Sequence, residues 1–243
     1  LEGPTGTSKT LSTEIICELT GRELIRFNLS SETKSTDLLG KYVGDSSAWA
    51  GIVMIPGPFI IAFKEGKTLL LDEINLGSSE CLQFIENILD SKVISIEIQG
   101  VPLYEIKMHP NFRLIATQNP NKDFFIHKRQ DLGENFKSRF QVIYFSEFTD
   151  ELFDIAKGLA SKFNYQDENR DQIIKDLVDF HRKWSSLKDI KEDIQCFTVR
   201  EIAATVKALS KGYNLYDTIM TIYGARYQKE KKDKLEDLLQ KYP

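Results

Sequence analysis

The sequence predicts an α/β core, a mostly parallel sheet with helices on both faces, followed by a smaller all-helical domain. Three observations predict it. Residues 3–10 read Gly-Pro-Thr-Gly-Thr-Ser-Lys-Thr, a glycine-rich turn directly before a helical pattern. Residues 68–73 read Thr-Leu-Leu-Leu-Asp-Glu, an apolar run of strand length that ends in two acids. Strand-like and helix-like patterns alternate to about residue 145, and from Thr149 onward only helical patterns follow. The expected division is therefore residues 1–147 for the core and 148–243 for the helical lid.

The elements follow in order. Lys9 to Thr20 is a helix, with Leu11, Ile15, Ile16 and Leu19 near helical spacing and Gly21 ending it. Glu23–Leu29 reads as a strand. Ser30 to Pro58 is a long connection rich in Ser, Gly and Asp, with a small hairpin of its own. Pro58–Lys64 is a short helix and Lys67–Asp72 the central strand. Ser78–Asp90 is a helix with Leu82, Ile85, Ile88 and Leu89 on one face. Val93–Ile98 and Val101–Met108 alternate as two strands around Gln99-Gly100. Asn111–Gln118 is a buried strand closing on Asn119-Pro120, and a short helix around Leu132–Ser138 precedes a last strand at Gln141–Phe145. The lid carries helices at Glu151–Phe163 (with Thr149 as N-cap), Asn169–Trp184, Val199–Ser210 and Tyr216–Tyr223. Its charged tail, Gln228 to Lys241, reads as a solvated last helix. Only Leu1-Glu2 precede the glycine-rich turn, which normally follows a buried strand, so the chain is expected to be a fragment with its first strand truncated.

Composition narrows the class. Of 243 residues, 41% are hydrophobic and 28% charged, as in a soluble globular chain. A net charge of −4 gives no electrostatic footprint for nucleic acid. Three scattered cysteines, Cys17, Cys81 and Cys196, form no C-x-x-C pair, which argues for a reducing compartment without disulfides or zinc. The sequence has no apolar stretch of membrane-spanning length and no signal peptide pattern.

The glycine-rich turn fits phosphate. Backbone N–H groups at a helix N-terminus cradle anionic oxygens, which makes Gly3, Pro4, Thr5, Gly6, Thr7, Ser8, Lys9 and Thr10 the candidate phosphate-binding residues. Lys9 would add a point charge near the β/γ-phosphates, Thr10 would hold Mg²⁺, Asp72 would bind that ion through water, and Glu73 would polarise the attacking water. The usual pattern is G-x-x-x-x-G-K-[ST], and Ser8 stands where its second Gly belongs. If the backbone there is strained, Ser8 costs about 1 kcal/mol.

Three further residues carry candidate roles. Asn119 ends a strand whose C-terminus faces the ligand crevice of a parallel sheet, where an amide can orient water; the bland alternative is an Asn-Pro turn. Arg139, just before the last strand, can reach a neighbouring subunit's site, or it can be a surface Arg paired with Glu134. Arg200 sits in the first turn of a lid helix, where a cation is mildly unfavourable, which tilts it toward a functional role.

In this order the segments resemble an AAA+ ATPase of the dynein-related branch, which includes midasin. The resemblance is carried by Asp37-Leu38-Leu39-Gly40, Gly57-Pro58-Phe59, Leu71-Asp72-Glu73-Ile74-Asn75-Leu76, the run from His109 to Pro120, and Phe136-Lys137-Ser138-Arg139-Phe140. It implies a P-loop core in which Gly3 to Thr10 are Walker A, with Asp72 and Glu73 as Walker B. It further implies that Asn119 is sensor 1, Arg139 a finger acting in trans and Arg200 sensor 2. The hairpin at Val93–Met108 would be an insertion before sensor 1, and Gly40–Pro58 would hold a helix-2 insertion. ATP and Mg²⁺ are the implied cofactors. Neighbouring AAA+ modules in a ring, in one long chain or a homo-oligomer, are the implied partners, together with a protein or ribonucleoprotein substrate. Ribosome large-subunit maturation in the nucleus or nucleolus is implied for a midasin-like protein, and the cytoplasm otherwise. Two departures stand out: Ser8, and the lack of a Gly-rich stretch in Asn121–Arg129. The alternative is a silent module that binds nucleotide and only stiffens its ring. A GTP-using restriction-type motor is a third reading, and no residue here reads the base.

Overall fold

The computed structural model describes residues 1–44, 52–98, 101–120, 131–146, 150–187, 198–227 and 229–242. The Gln99-Gly100 turn, the Thr149 cap and Asn121–Arg129 lie outside them. The chain divides into two units, Leu1–Pro4 with Ser8–Phe145, and Thr5–Thr7 with Ser146–Pro243.

In the first unit, α1 (Lys9–Leu19) leads to β1 (Leu24–Asn28), α2 (Ser35–Leu39) and the hairpin β2 (Gly40–Gly44) and β3 (Ile52–Pro56). Then come α3 (Pro58–Glu65), β4 (Thr68–Asp72), a 3₁₀ turn (Ile74–Leu76) and α4 (Ser79–Ser91). The hairpin β5 (Val93–Ile98) and β6 (Val101–Lys107), strand β7 (Arg113–Ala116) and α5 (Glu134–Lys137) complete it. The sheet is parallel in the order β1-β4-β7. All five residues of β4 are buried, as its unbroken apolar run requires of a central parallel strand. Helix α3 starts with Pro58 in its first turn and ends at Gly66 in the left-handed region, the usual asymmetry of helix ends. Phe59 anchors the core, its ring 5.9 Å from those of Phe63, Phe84 and Phe112.

Three expectations need correction. Among the described residues Gln141–Phe145 forms no strand, and an isolated bridge from Tyr144 to Glu2 is the only pairing there. Glu2 also bridges Gln118. β7 is shorter than expected and half-buried rather than buried. The Ser30–Pro58 connection holds a helix, α2, besides its hairpin.

In the second unit, α6 (Leu152–Lys162), α7 (Arg170–Ser186), α8 (Val199–Leu209), α9 (Leu215–Ile222), a 3₁₀ turn (Gly224–Arg226) and α10 (Lys229–Leu239) pack around Trp184, Phe180 and Tyr223. The charged tail is not wholly solvated: Leu235 and Leu239, four residues apart, turn one face of α10 into this core. His181 is buried here, its Nδ1 3.2 Å from the Tyr223 hydroxyl. Burial pushes its pKa down from 6.5 to about 4, only partly opposed by Glu201 and reinforced by Arg182. The folded value lies below the unfolded one, so the unfolded chain binds more protons between those limits. Stability of this unit is therefore full above pH 6.5 and lost as pH falls toward 4, by about 3 kcal/mol in all. Urea melts at stepped pH check this, and the pH dependence between 6.5 and 4 should be weaker in His181→Asn than in wild type.

Candidate functional site

The first turn of α1 and the C-terminal ends of β4 and β7 bring five side chains together. Parallel register sets Leu71 beside Ala116, so the residues just beyond, Asp72 and Glu73 on one strand and Thr117 to Asn119 on the other, emerge at the same sheet edge. Lys9, 7% exposed, donates from Nζ to Gly3 O, Pro4 O and Asn119 Oδ1, each at 2.8 Å. The Asn119 amide donates from Nδ2 to Glu73 Oε1. Thr10 Oγ1 lies 3.2 Å from both carboxylate oxygens of Asp72. Lys9, Asn119 and Glu73 form one hydrogen-bonded group and Thr10 with Asp72 a second; Thr117, which accepts from the Glu73 N–H and donates to Asp72, links the two.

The loop geometry suits an anion. Gly6 has φ 83° and Ser8 φ 62°, and left-handed residues in a turn direct successive N–H groups inward. A Cβ at Gly3 would lie 2.3 Å from the Phe145 carbonyl oxygen, so no larger residue fits there without a backbone shift. Ser8 stands at the N-cap of α1 with no side-chain cap hydrogen bond. The strain expected of it is present. Ser8→Gly should raise stability by about 1 kcal/mol, a rise of about 2–4 °C in midpoint by thermal melting.

The cation side rests on hard oxygens, the Thr10 hydroxyl and the Asp72 carboxylate, a donor set that suits Mg²⁺. Burial alone would raise the Asp72 pKa, but hydrogen bonds from Thr117, Arg26 and Thr10 outweigh it and hold the carboxyl below its ordinary value. Glu73 sits in the left-handed region at φ 56°, its N–H donating 3.1 Å to Thr117 Oγ1. That local turn swings its carboxyl toward Asn119. Among the described residues no cluster of three His, Cys, Asp or Glu side chains suits a softer metal.

Arg139 does not join this cluster. The Arg139 guanidinium is clamped to α4, 2.8 and 2.6 Å from the two Asp90 oxygens and 2.8 Å from Glu86 Oε1, rather than paired with Glu134. Arg200 is exposed in the second unit, where its N–H donates 3.2 Å to Thr198 Oγ1. Glu201 closes the capping box there, 2.6 Å from the Thr198 N–H. The spacing Thr198-x-x-Glu201 signals that cap.

Sequence reasoning did not nominate Arg26, Thr117 and Asn75. Thr117 donates to Asp72 Oδ1, and Arg26 Nη2 lies 2.5 Å from Asp72 Oδ2. Buried Asn75 donates 2.8 Å to Asn119 O and fixes the end of that segment. No local motif marks Arg26; its partner lies 46 residues away.

A family model described as an AAA domain of the dynein-related subfamily matches residues 1–140. Midasin of Dictyostelium discoideum is 33% identical over 158 residues, which is 64% of this chain and 2% of that protein. The chain thus spans a small part of the midasin it matches. An uncharacterized protein of Staphylococcus epidermidis is 30% identical over 240 residues, 98% of this chain and 84% of that one. Among solved structures, NtrX from Brucella abortus in complex with ADP aligns with a TM-score of 0.56 at 14% identity, over 86% of this chain and 44% of that one. At that identity the likeness shows the fold, a P-loop α/β core, and no more. No helix among the described residues is long and apolar enough to cross a membrane.

Proposed function

The chain belongs to the dynein-related subfamily of AAA domains, and from that premise we propose that it binds ATP with Mg²⁺ and hydrolyses it to ADP and phosphate. One observation carries the reading: Lys9, Thr10, Asp72, Glu73 and Asn119, from three separate segments, converge in two hydrogen-bonded groups that Thr117 links. Residues 3–8 present N–H groups to the phosphates, and Lys9 meets the negative charge of the β/γ end. Thr10 would hold the cation and Asp72 would bind it through water, and the ion when bound would neutralise charge developing on the phosphates. Glu73 takes a proton from the attacking water, and Asn119, bonded to both Lys9 and Glu73, keeps that carboxylate aimed.

Arg139 would act on a neighbouring module's nucleotide after leaving Asp90 and Glu86, and Arg200 would sense nucleotide from the lid. The module would work in a ring, moving a protein or ribonucleoprotein substrate by nucleotide-driven motion of the lid. Large-subunit ribosome maturation in the nucleus is the task if the parent protein acts as a midasin. The silent-module reading draws its support from Ser8, whose left-handed backbone departs from the glycine norm.

Asn119→Ala separates the two. If the site turns over, this variant keeps ATP affinity within about threefold and loses about 100-fold in kcat, because orientation of Glu73 is lost while the phosphate loop stays. A kcat equal to wild type would reject the assigned roles.

A further inference from the structure

The carboxylate on the cation side of the cluster is already paired with a cation of the protein itself. Arg26 lies on β1, where parallel register sets it beside Leu70 and sets Asn28 beside Asp72, so Arg26 and Asp72 share one face of the sheet. Arg26 Nη2 lies 2.5 Å from Asp72 Oδ2, and its Nη1 lies 3.3 Å from Glu14 Oε1 on α1. The second Asp72 oxygen accepts from Thr117. The Asp72 side chain is 12% exposed and that of Arg26 45%. A largely buried carboxylate needs a counter-charge, and Arg26 supplies it. A hard divalent cation seeks that same carboxylate. Two cations at one carboxylate repel each other, so each weakens the hold of the other. Arg26 is half in solvent and already touches Glu14, so its guanidinium has a second anchor within reach.

We propose that Arg26 is a resident counter-cation of Asp72 that competes with the divalent cation arriving with nucleotide, and that Glu14 receives its guanidinium when that cation binds. The inference rests on the nucleotide-site reading above. Arg26 is on this account a positioning residue. It keeps Asp72 charged and ordered between turnovers, and it sets how strongly nucleotide affinity depends on the metal. The competition also makes metal release, and with it product release, easier than an unopposed carboxylate would allow.

The test is titration of the purified 243-residue chain with a fluorescent N-methylanthraniloyl-ADP, in excess EDTA and in excess magnesium chloride. The ratio of the two Kd values is the magnesium enhancement. Arg26→Gln should raise it about tenfold over wild type, because one opposing charge is gone. Arg26→Lys, which keeps the charge, should leave it within about threefold. Glu14→Gln, at an exposed helix position, should lower it about threefold by binding Arg26 more firmly to Asp72. An unchanged or reduced enhancement in Arg26→Gln overturns the inference. If that variant does not fold, an enhancement in Glu14→Gln equal to wild type overturns it instead. Nucleotide that binds normally without the predicted shifts sinks the Arg26 role alone. Nucleotide that binds under neither condition sinks the site reading with it.

Discussion

Lys9→Ala should weaken nucleotide binding about 100-fold, the loss expected when one partner of a buried charged contact is removed. The side chain does two jobs at once. Its ammonium is the cation nearest the loop, and it also ties Gly3 O, Pro4 O and Asn119 Oδ1 to a single point. Truncation therefore removes the charge that phosphate meets and releases the loop and the end of β7 from each other. Lys9→Met keeps the length without the charge and separates these contributions. Binding in Lys9→Ala within about threefold of wild type would mean that phosphate does not sit on this loop.

Glu73→Gln should lower ATP turnover by about 10²–10⁴ while leaving nucleotide affinity nearly unchanged. Gln has the same shape and can still accept from Asn119 Nδ2, so the geometry persists. It cannot take a proton. The effect belongs to kcat because the substitution removes a proton acceptor and leaves the N–H groups of the phosphate loop in place. A matching loss of affinity would point instead to collapse of the turn at Glu73, which holds the left-handed conformation.

The parts of the site legible in the sequence were those written locally. Gly3 to Thr10 and the Asp72-Glu73 pair are short motifs whose chemistry depends on neighbours in the chain, and β4 announced itself through an unbroken apolar run. Asn119 was legible as a strand end, with its contacts to Lys9 and Glu73 visible only in three dimensions. Arg26 was not legible, because its pairing with Asp72 depends on strand order and register, which no local pattern encodes. Arg139 shows the same limit: the sequence offered Glu134 as a partner, but packing brought α4, with Glu86 and Asp90, against it. Helical spacing found α1 but not its packed face. Leu11, Ile15, Ile16 and Leu19 are 46–81% exposed, whereas Lys9, Thr13 and Cys17 are buried. The phosphate loop fixes the first turn of that helix, and the position of Lys9 then decides which side faces the sheet. The run Gln141–Phe145 had the composition of a strand, but among the described residues it pairs only through the bridge from Tyr144 to Glu2, because pairing depends on a neighbouring strand and not on local composition.

The most direct test of the central claim is a single-turnover experiment. The chain, assembled with the neighbouring module that supplies the counterpart of Arg139 and in excess over γ-labelled ATP with magnesium chloride, is followed for conversion of bound ATP to ADP and phosphate, with Glu73→Gln beside wild type at matched occupancy. The account predicts that wild type converts its bound ATP while Glu73→Gln holds it intact. Bound ATP that stays intact equally in both would contradict it and leave a module that holds nucleotide without spending it.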